Sequence, residues 1–194
     1  MRRLPRSFYR RDARVVAPEL LHKVIVVDGT VAARLVEVEA YAGGEDPGSH
    51  AFRGPTARNM TMFGPAGHLY VYFTYGMHFC ANAVCSDVGV ATAVLLRAAA
   101  PVDGLDVMRA RRGRAARRER DLLSGPGKLC QALGLARDDD GADLVARGGR
   151  ISIMDDGTPP PAVPGVSLRI GLSAGADLPW RWYVPGDPNL SRPG

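Results

Sequence analysis

The chain has 194 residues, enough for one domain with a full hydrophobic core. Its 46% hydrophobic and 23% charged composition is that of a folded globular protein, and no apolar run approaches the roughly 20 residues that span a bilayer. The net charge of +5 is carried almost wholly by arginine, since only Lys23 and Lys128 are lysines, and it favours a polyanionic partner.

Residues 1–12 read as a basic N-terminal arm. No apolar h-region follows its arginines, so no secretory signal is expected and the chain reads as cytoplasmic. Cys80, Cys85 and Cys130 make no disulfide-like framework, which fits a reducing compartment. Cys80 and Cys85 lack the second cysteine pair of a structural zinc site, so no metal is expected.

ARVVAPELLHK reads as a short helix with Pro18 near its first turn. KVIVVDGT reads as a strand ending in an Asp28–Gly29 turn, with VAARLVEVEAY as its hairpin partner. Alternation along that partner puts Leu35, Glu37, Glu39 and Tyr41 on one face and Val36, Val38 and Ala40 on the other. Residues 42–67 form a long connection, rich in Gly and Pro, of the kind that is usually functional.

HLYVYFTY and HFCANAVCSD read as two strands joined near Gly76. VATAVLLRAAAP is a further, central strand, apolar on both faces. An arginine-rich helix is expected over 103–120 and a short one over KLCQALGL. The strands ISIMDD, VSLRIGL and WRWYVPG follow, and 187–194 reads as a C-terminal tail. The economical fold is a single α+β domain with a curved, mainly antiparallel sheet and flanking helices.

Glu37 and Glu39 are either two solvated carboxylates or a pair of which one, partly buried, acts as a general base on water. The stretch from Gly67 to Cys80 holds Tyr70, Tyr72, Phe73, Tyr75 and Phe79. Because Tyr70 and Tyr72 oppose Val71 and Phe73, only part of this cluster can be core. The rest is available to stack on a flat partner, and a nucleic-acid base is one such partner. The arginine-rich helix is either a solvated face or a phosphate-contacting surface. SGPGK lacks the spacing of a nucleotide-binding P-loop.

Taken together, VEVEAYAGGEDPGSHAFRGPTARNMTMFGPAGHLYVYFTYGMHFCANAV closely resembles the signature block of the 3-methyladenine (alkyladenine) DNA glycosylases. The likeness continues in order through AVLLRAAAPVDGLDVMR, SGPGKLCQALGL, RIGL and WRWYVPG. It implies a monofunctional enzyme without metal or organic cofactor, which flips alkylated or deaminated purines out of duplex DNA and hydrolyses the N-glycosidic bond. By resemblance Glu39 is the general base, Arg97 holds the attacking water, and the Ile170 carbonyl contacts it. Tyr41, His50 and Tyr72 enclose the extruded base, Asn82 discourages guanine, and Tyr75 is the wedge in the minor groove. Glu37 is left as structural. With duplex DNA as partner, Arg109, Arg112, Lys128 and Arg181 are candidate backbone contacts, and a monomer is expected. Two other readings stand beside this one: a DNA-binding module of the same fold without hydrolysis, and a metal-dependent hydrolase using His50, His68 and His78.

Overall fold

The computed structural model describes residues 1–74 and 76–193; Tyr75, the expected wedge, lies outside the described residues. The strands are β1 (Arg2–Arg3), β2 (Val24–Val27), β3 (Val31–Tyr41), β4 (Leu69–Thr74), β5 (His78–Cys85), β6 (Thr92–Asp103), β7 (Ile151–Asp155), β8 (Gly165–Ser167) and β9 (Arg181–Tyr183). They join in one curled antiparallel sheet in the order β1-β7-β2-β3-β6-β5-β4. β9 pairs with β3 beyond the end of β2, and β8 pairs with β9. The helices are α1 (Arg6–Tyr9), α2 (Ala13–Leu20), α3 (Leu105–Arg112) and α4 (Pro126–Leu133), which makes the fold the expected mixture of α and β.

Asp12 caps α2, its carboxylate accepting the Arg14 N–H at 2.7 Å. Pro18 stands in the last turn of this helix, not the first, and the helix ends two residues later at Leu20. Asp28 and Gly29 both take positive φ, 53° and 69°, which suits the tight turn from β2 into β3. α2 packs on β3 and β6, and α4 on β5 and β6, enclosing the main core.

Strict alternation fails once in β3, with a consequence for the site. Val31, Ala33 and Leu35 face the main core, but a register shift around Glu37 makes Val38 and Ala40 the next core residues. The bulge turns Leu35 away from the face of Glu37 and Glu39, with which alternation groups it. β4 keeps its expected alternation: Leu69 and Val71 join the main core, while Tyr70 and Tyr72 join a second cluster with Ala51, Met62, Val84, Ala91 and Ala93.

The arginine-rich helix is shorter than expected. Asp103 ends β6, α3 stops at Arg112, and single 3-10 turns follow at Gly113–Ala115 and Glu119–Asp121. α4 starts at Pro126, a residue suited to the first helical position, rather than at Lys128. VSLRIGL is strand only as far as Ser167.

The described residues near both ends pack onto the domain. In place of a basic arm, β1 pairs with β7, Leu4 and Tyr9 are buried, and Arg6, Arg10, Arg11 and Arg14 bind Asp143, Asp87, Glu19 and Asp12. At the other end Ser191 is bonded to Glu37 and the Arg192 carbonyl to Arg181.

Candidate active site

Three neighbouring strands bring one ionic cluster together. β3 supplies Glu37 and Glu39, β6 supplies Arg97 from one side, and β9 supplies Arg181 from the other. Both carboxylates are fully buried, and both arginines nearly so. Glu37 is saturated: Arg97 Nε donates at 2.9 Å, Arg181 Nε at 2.8 Å, the Ser191 N–H at 2.6 Å and the Ser191 hydroxyl at 2.7 Å. Burial pulls the Glu37 carboxyl upward, but bonds from Arg181 and Ser191 and the Arg97 charge outweigh it and leave it below its ordinary value.

Glu39 is held differently. The Ile170 N–H donates to Oε1 at 2.8 Å, the Tyr41 hydroxyl donates to Oε2 at 2.9 Å, and Arg97 Nη1 stands 3.3 Å from Oε2. An ionised carboxylate accepts about four hydrogen bonds, so Glu39 keeps capacity for a water where Glu37 has none. Burial disfavours the charge on Arg97, yet Glu39 and Glu37 raise its pKa above the ordinary value.

Tyr41 carries this cluster to a cavity of about 50 Å³. Tyr70, Tyr72, His50, Asn82, Met62 and Leu172 line it further. His50 stands edge-on to Tyr72, with ring centroids 4.5 Å apart, and Tyr70 stacks beside Tyr72 at 5.4 Å. His50 Nδ1 lies 3.1 Å from the Tyr70 hydroxyl, and Asn82 Nδ2 donates to the Tyr70 carbonyl at 3.2 Å. Burial, then the nearby Arg58, depress the His50 pKa, so its ring is neutral at pH 7. Burial raises the phenols, Tyr70 up to about 12 and Tyr72 higher still, so the walls are uncharged.

One group behind the cavity escapes a reading of the sequence. Arg169, with a fully buried side chain, forms a bidentate pair with Asp46 at 2.5 and 2.7 Å. Its guanidinium carbon lies 4.7 Å from the Tyr41 ring and 5.1 Å from the Trp180 ring. Asp46 also accepts the N–H groups of Ala42 and Gly48, so the same pair fixes the start of the long loop that carries His50. Gly48 is required there: a Cβ would sit 2.8 Å from Arg169 Nη2 and 2.9 Å from Leu172 Cδ1. Asn59 fixes the next part of the loop, donating to the carbonyls of His50 and Gly54.

Of the residues singled out in the sequence, Glu39, Arg97, Tyr41, His50, Tyr72, Asn82 and Ile170 converge, with the Ile170 N–H donating to Glu39. The proposed backbone contacts divide. Arg181 is buried and bound to Glu37, Ser167 and the Arg192 carbonyl, so it faces no phosphate. Arg112 is likewise buried, against Gln131 and the Asp121 carbonyl. Arg109 is exposed beside Asp106 and Glu119, and Lys128 is half-buried with its ammonium on Ser124. Among the described residues, no three His, Cys, Asp or Glu side chains gather as metal ligands, and no helix is long and apolar enough to cross a membrane.

Residues 7–188 match the family model described as methylpurine-DNA glycosylase. Several bacterial proteins carrying provisional 3-methyladenine DNA glycosylase names are similar over nearly their whole length. One from Burkholderia lata is 53% identical, covering 98% of this chain and 91% of its own. Another from Streptomyces avermitilis is 47% identical, covering 97% and 90%. A third from Carboxydothermus hydrogenoformans is 46% identical, covering 97% and 98%. The chain belongs to the methylpurine-DNA glycosylase family, whose reaction class is hydrolysis of N-glycosyl bonds.

Proposed function

We propose that this chain, acting as a monomer in the cytoplasm, excises alkylated and deaminated purines from duplex DNA after flipping the nucleotide into the aromatic cavity. The observation that carries this reading is the buried Glu39, hydrogen-bonded through Oε2 to the cavity wall at Tyr41 and retaining room for a water. Tyr41, Tyr72 and His50 sandwich the base, each stacking contact contributing about 1–3 kcal/mol. The cavity measures about 50 Å³, with His50 and Leu172 in its lining. Tyr75 fills the gap in the duplex, a role that rests on the family resemblance.

In the reaction Glu39 takes a proton from water while the water oxygen attacks C1′ of the deoxyribose. The bonding pair of the glycosidic bond leaves with the purine, so a cationic lesion departs as the neutral base, whereas a neutral purine must take up a proton as it leaves; the other product is an abasic sugar. The anionic Glu39, in a site closed to bulk water, also stabilises the positive charge that develops on the sugar. Arg97 keeps Glu39 oriented, and Glu37 keeps Arg97 in place.

The test is a base-release assay on duplexes carrying hypoxanthine or 7-methylguanine, with EDTA present and alkaline cleavage of abasic sites afterwards. Wild type should release base and Glu39→Gln should bind damaged duplex without releasing it. Equal release by both would remove Glu39 from the chemistry. Tight binding without release by wild type would favour a DNA-binding module.

A further inference from the structure

The Tyr72 wall of the cavity has an occupied outer face. Arg58, on the exposed loop between β3 and β4, places its guanidinium carbon 5.4 Å from the Tyr72 ring centroid, and its Nη2 donates to the Phe73 carbonyl at 3.1 Å. Arg58 is not among the residues lining the base cavity. It lines the adjoining groove with Tyr72 and Phe73, and it lies close enough to the Tyr70 hydroxyl to pull that phenol's pKa down against burial.

The two guanidinium groups behind aromatic walls differ in their partners. Arg169, behind Tyr41, is paired with Asp46 through both terminal nitrogens, Nη1 and Nη2. Among the described residues Arg58 has no carboxylate within salt-bridge distance. Asp140 shares its groove, but its oxygens accept from the Thr61 hydroxyl and the Val71 N–H, each at 2.9 Å. The Arg58 charge is felt inside the cavity: after burial, it is the group that depresses His50.

An aromatic ring that already holds a cation on one face attracts a second on the other less strongly, and the two cations repel through it. A neutral purine meets no such penalty. We propose that Arg58 is a specificity-determining residue that disfavours capture of positively charged purine lesions relative to neutral ones, by holding its charge against the outer face of Tyr72. The inference rests on the reading of the cavity as the base pocket.

The experiment compares wild type, Arg58→Gln and Arg58→Lys on two duplexes. One carries 7-methylguanine, a cationic base, and the other hypoxanthine, a neutral one. Excision is measured under subsaturating enzyme, where capture counts, together with affinity for undamaged duplex. In Arg58→Gln the ratio of cationic to neutral excision should rise about three- to tenfold, while Arg58→Lys, which keeps the charge, stays near the wild-type ratio. An equal fall on both duplexes would make Arg58 a phosphate contact and overturn the inference. A rise of the same size in Arg58→Lys would overturn it too, because shape rather than charge would be the cause. Release of neither base by wild type would instead remove the base-pocket reading, and this inference with it.

Discussion

Ser191 meets Glu37 twice, through its backbone N–H at 2.6 Å and its hydroxyl at 2.7 Å. That hydroxyl also accepts from Arg97 Nη2 at 3.2 Å, so the C-terminal segment forms the floor beneath the arginine that faces Glu39. Ser191→Ala keeps the N–H contact and removes the hydroxyl. It should lower stability by about 1 kcal/mol and slow base release by roughly the same free energy, a factor of about five. Thermal melting and single-turnover excision measure the two effects. Unchanged excision would show that Glu37 alone holds Arg97.

The two glutamates should respond oppositely to removal of charge. Glu37→Gln leaves Arg97 and Arg181 buried without their shared counter-ion and should cost about 3–5 kcal/mol in urea unfolding. Glu39→Gln leaves Arg97 paired with Glu37, so the cost should be under about 2 kcal/mol, while excision is lost. A Glu39→Gln protein as unstable as Glu37→Gln would mean that the cluster acts as one structural unit.

Glu37 also sets an acid limit. Its folded-state pKa is depressed below the ordinary 4.5, so in the unfolded chain it binds a proton more readily. Its contribution is therefore present above about pH 4.5 and is lost as pH falls further through the folded value. Wild type should lose stability steeply below about pH 4.5, and Glu37→Gln should show a shallower decline over the same range. Parallel curves would place the acid sensitivity elsewhere.

The sequence makes the hairpin partners, the central β6 and the aromatic alternation of β4 legible, because each is a local pattern of period two. It hides what depends on a distant partner. Arg181 reads as a phosphate contact from charge alone, but its partner Glu37 lies 144 residues away, and no periodicity announces that pairing. The same holds for Arg169 with Asp46, 123 residues apart, although Arg169 stands in the RIGL motif. The bulge at Glu37 hides for another reason: one extra residue changes the facing of every side chain before it while leaving the strand's composition unaltered. Arg112 reads as surface because the arginine run predicts a helix through 103–120, whereas the helix ends at Arg112, before Gly113 and a 3-10 turn.

Arg169 should be as intolerant as a catalytic group without touching substrate. Arg169→Met leaves Asp46 buried and unpaired and should cost about 3–5 kcal/mol. Arg169→Met with Asp46→Leu removes both charges, and its stability should recover in part. Excision should not recover, since Tyr41 has lost the guanidinium behind its ring and the Ala42 and Gly48 N–H groups their acceptor. Urea unfolding and single-turnover excision of the three variants separate the effects. Full recovery of excision in the double variant would reduce the pair to a packing element.

Tyr41 combines a ring that lines the cavity with a hydroxyl that donates to Glu39, and two substitutions separate these functions. Tyr41→Phe keeps the stacking surface and the contact with Arg169, but takes one donor from a buried carboxylate. A hydrogen bond to a charged group contributes about 1.5–3 kcal/mol, so single-turnover excision should fall by about 10- to 100-fold. Capture of the lesion, followed by the fluorescence of an ethenoadenine base entering the cavity, should stay near wild type. Tyr41→Ala removes the wall as well, and both capture and excision should fall. If Tyr41→Phe lost capture to the same extent as excision, the hydroxyl would be recognising the base rather than orienting Glu39. If it lost neither, the donors from Ile170 and Arg97 would suffice to fix the carboxylate, and Tyr41 would serve only as a wall.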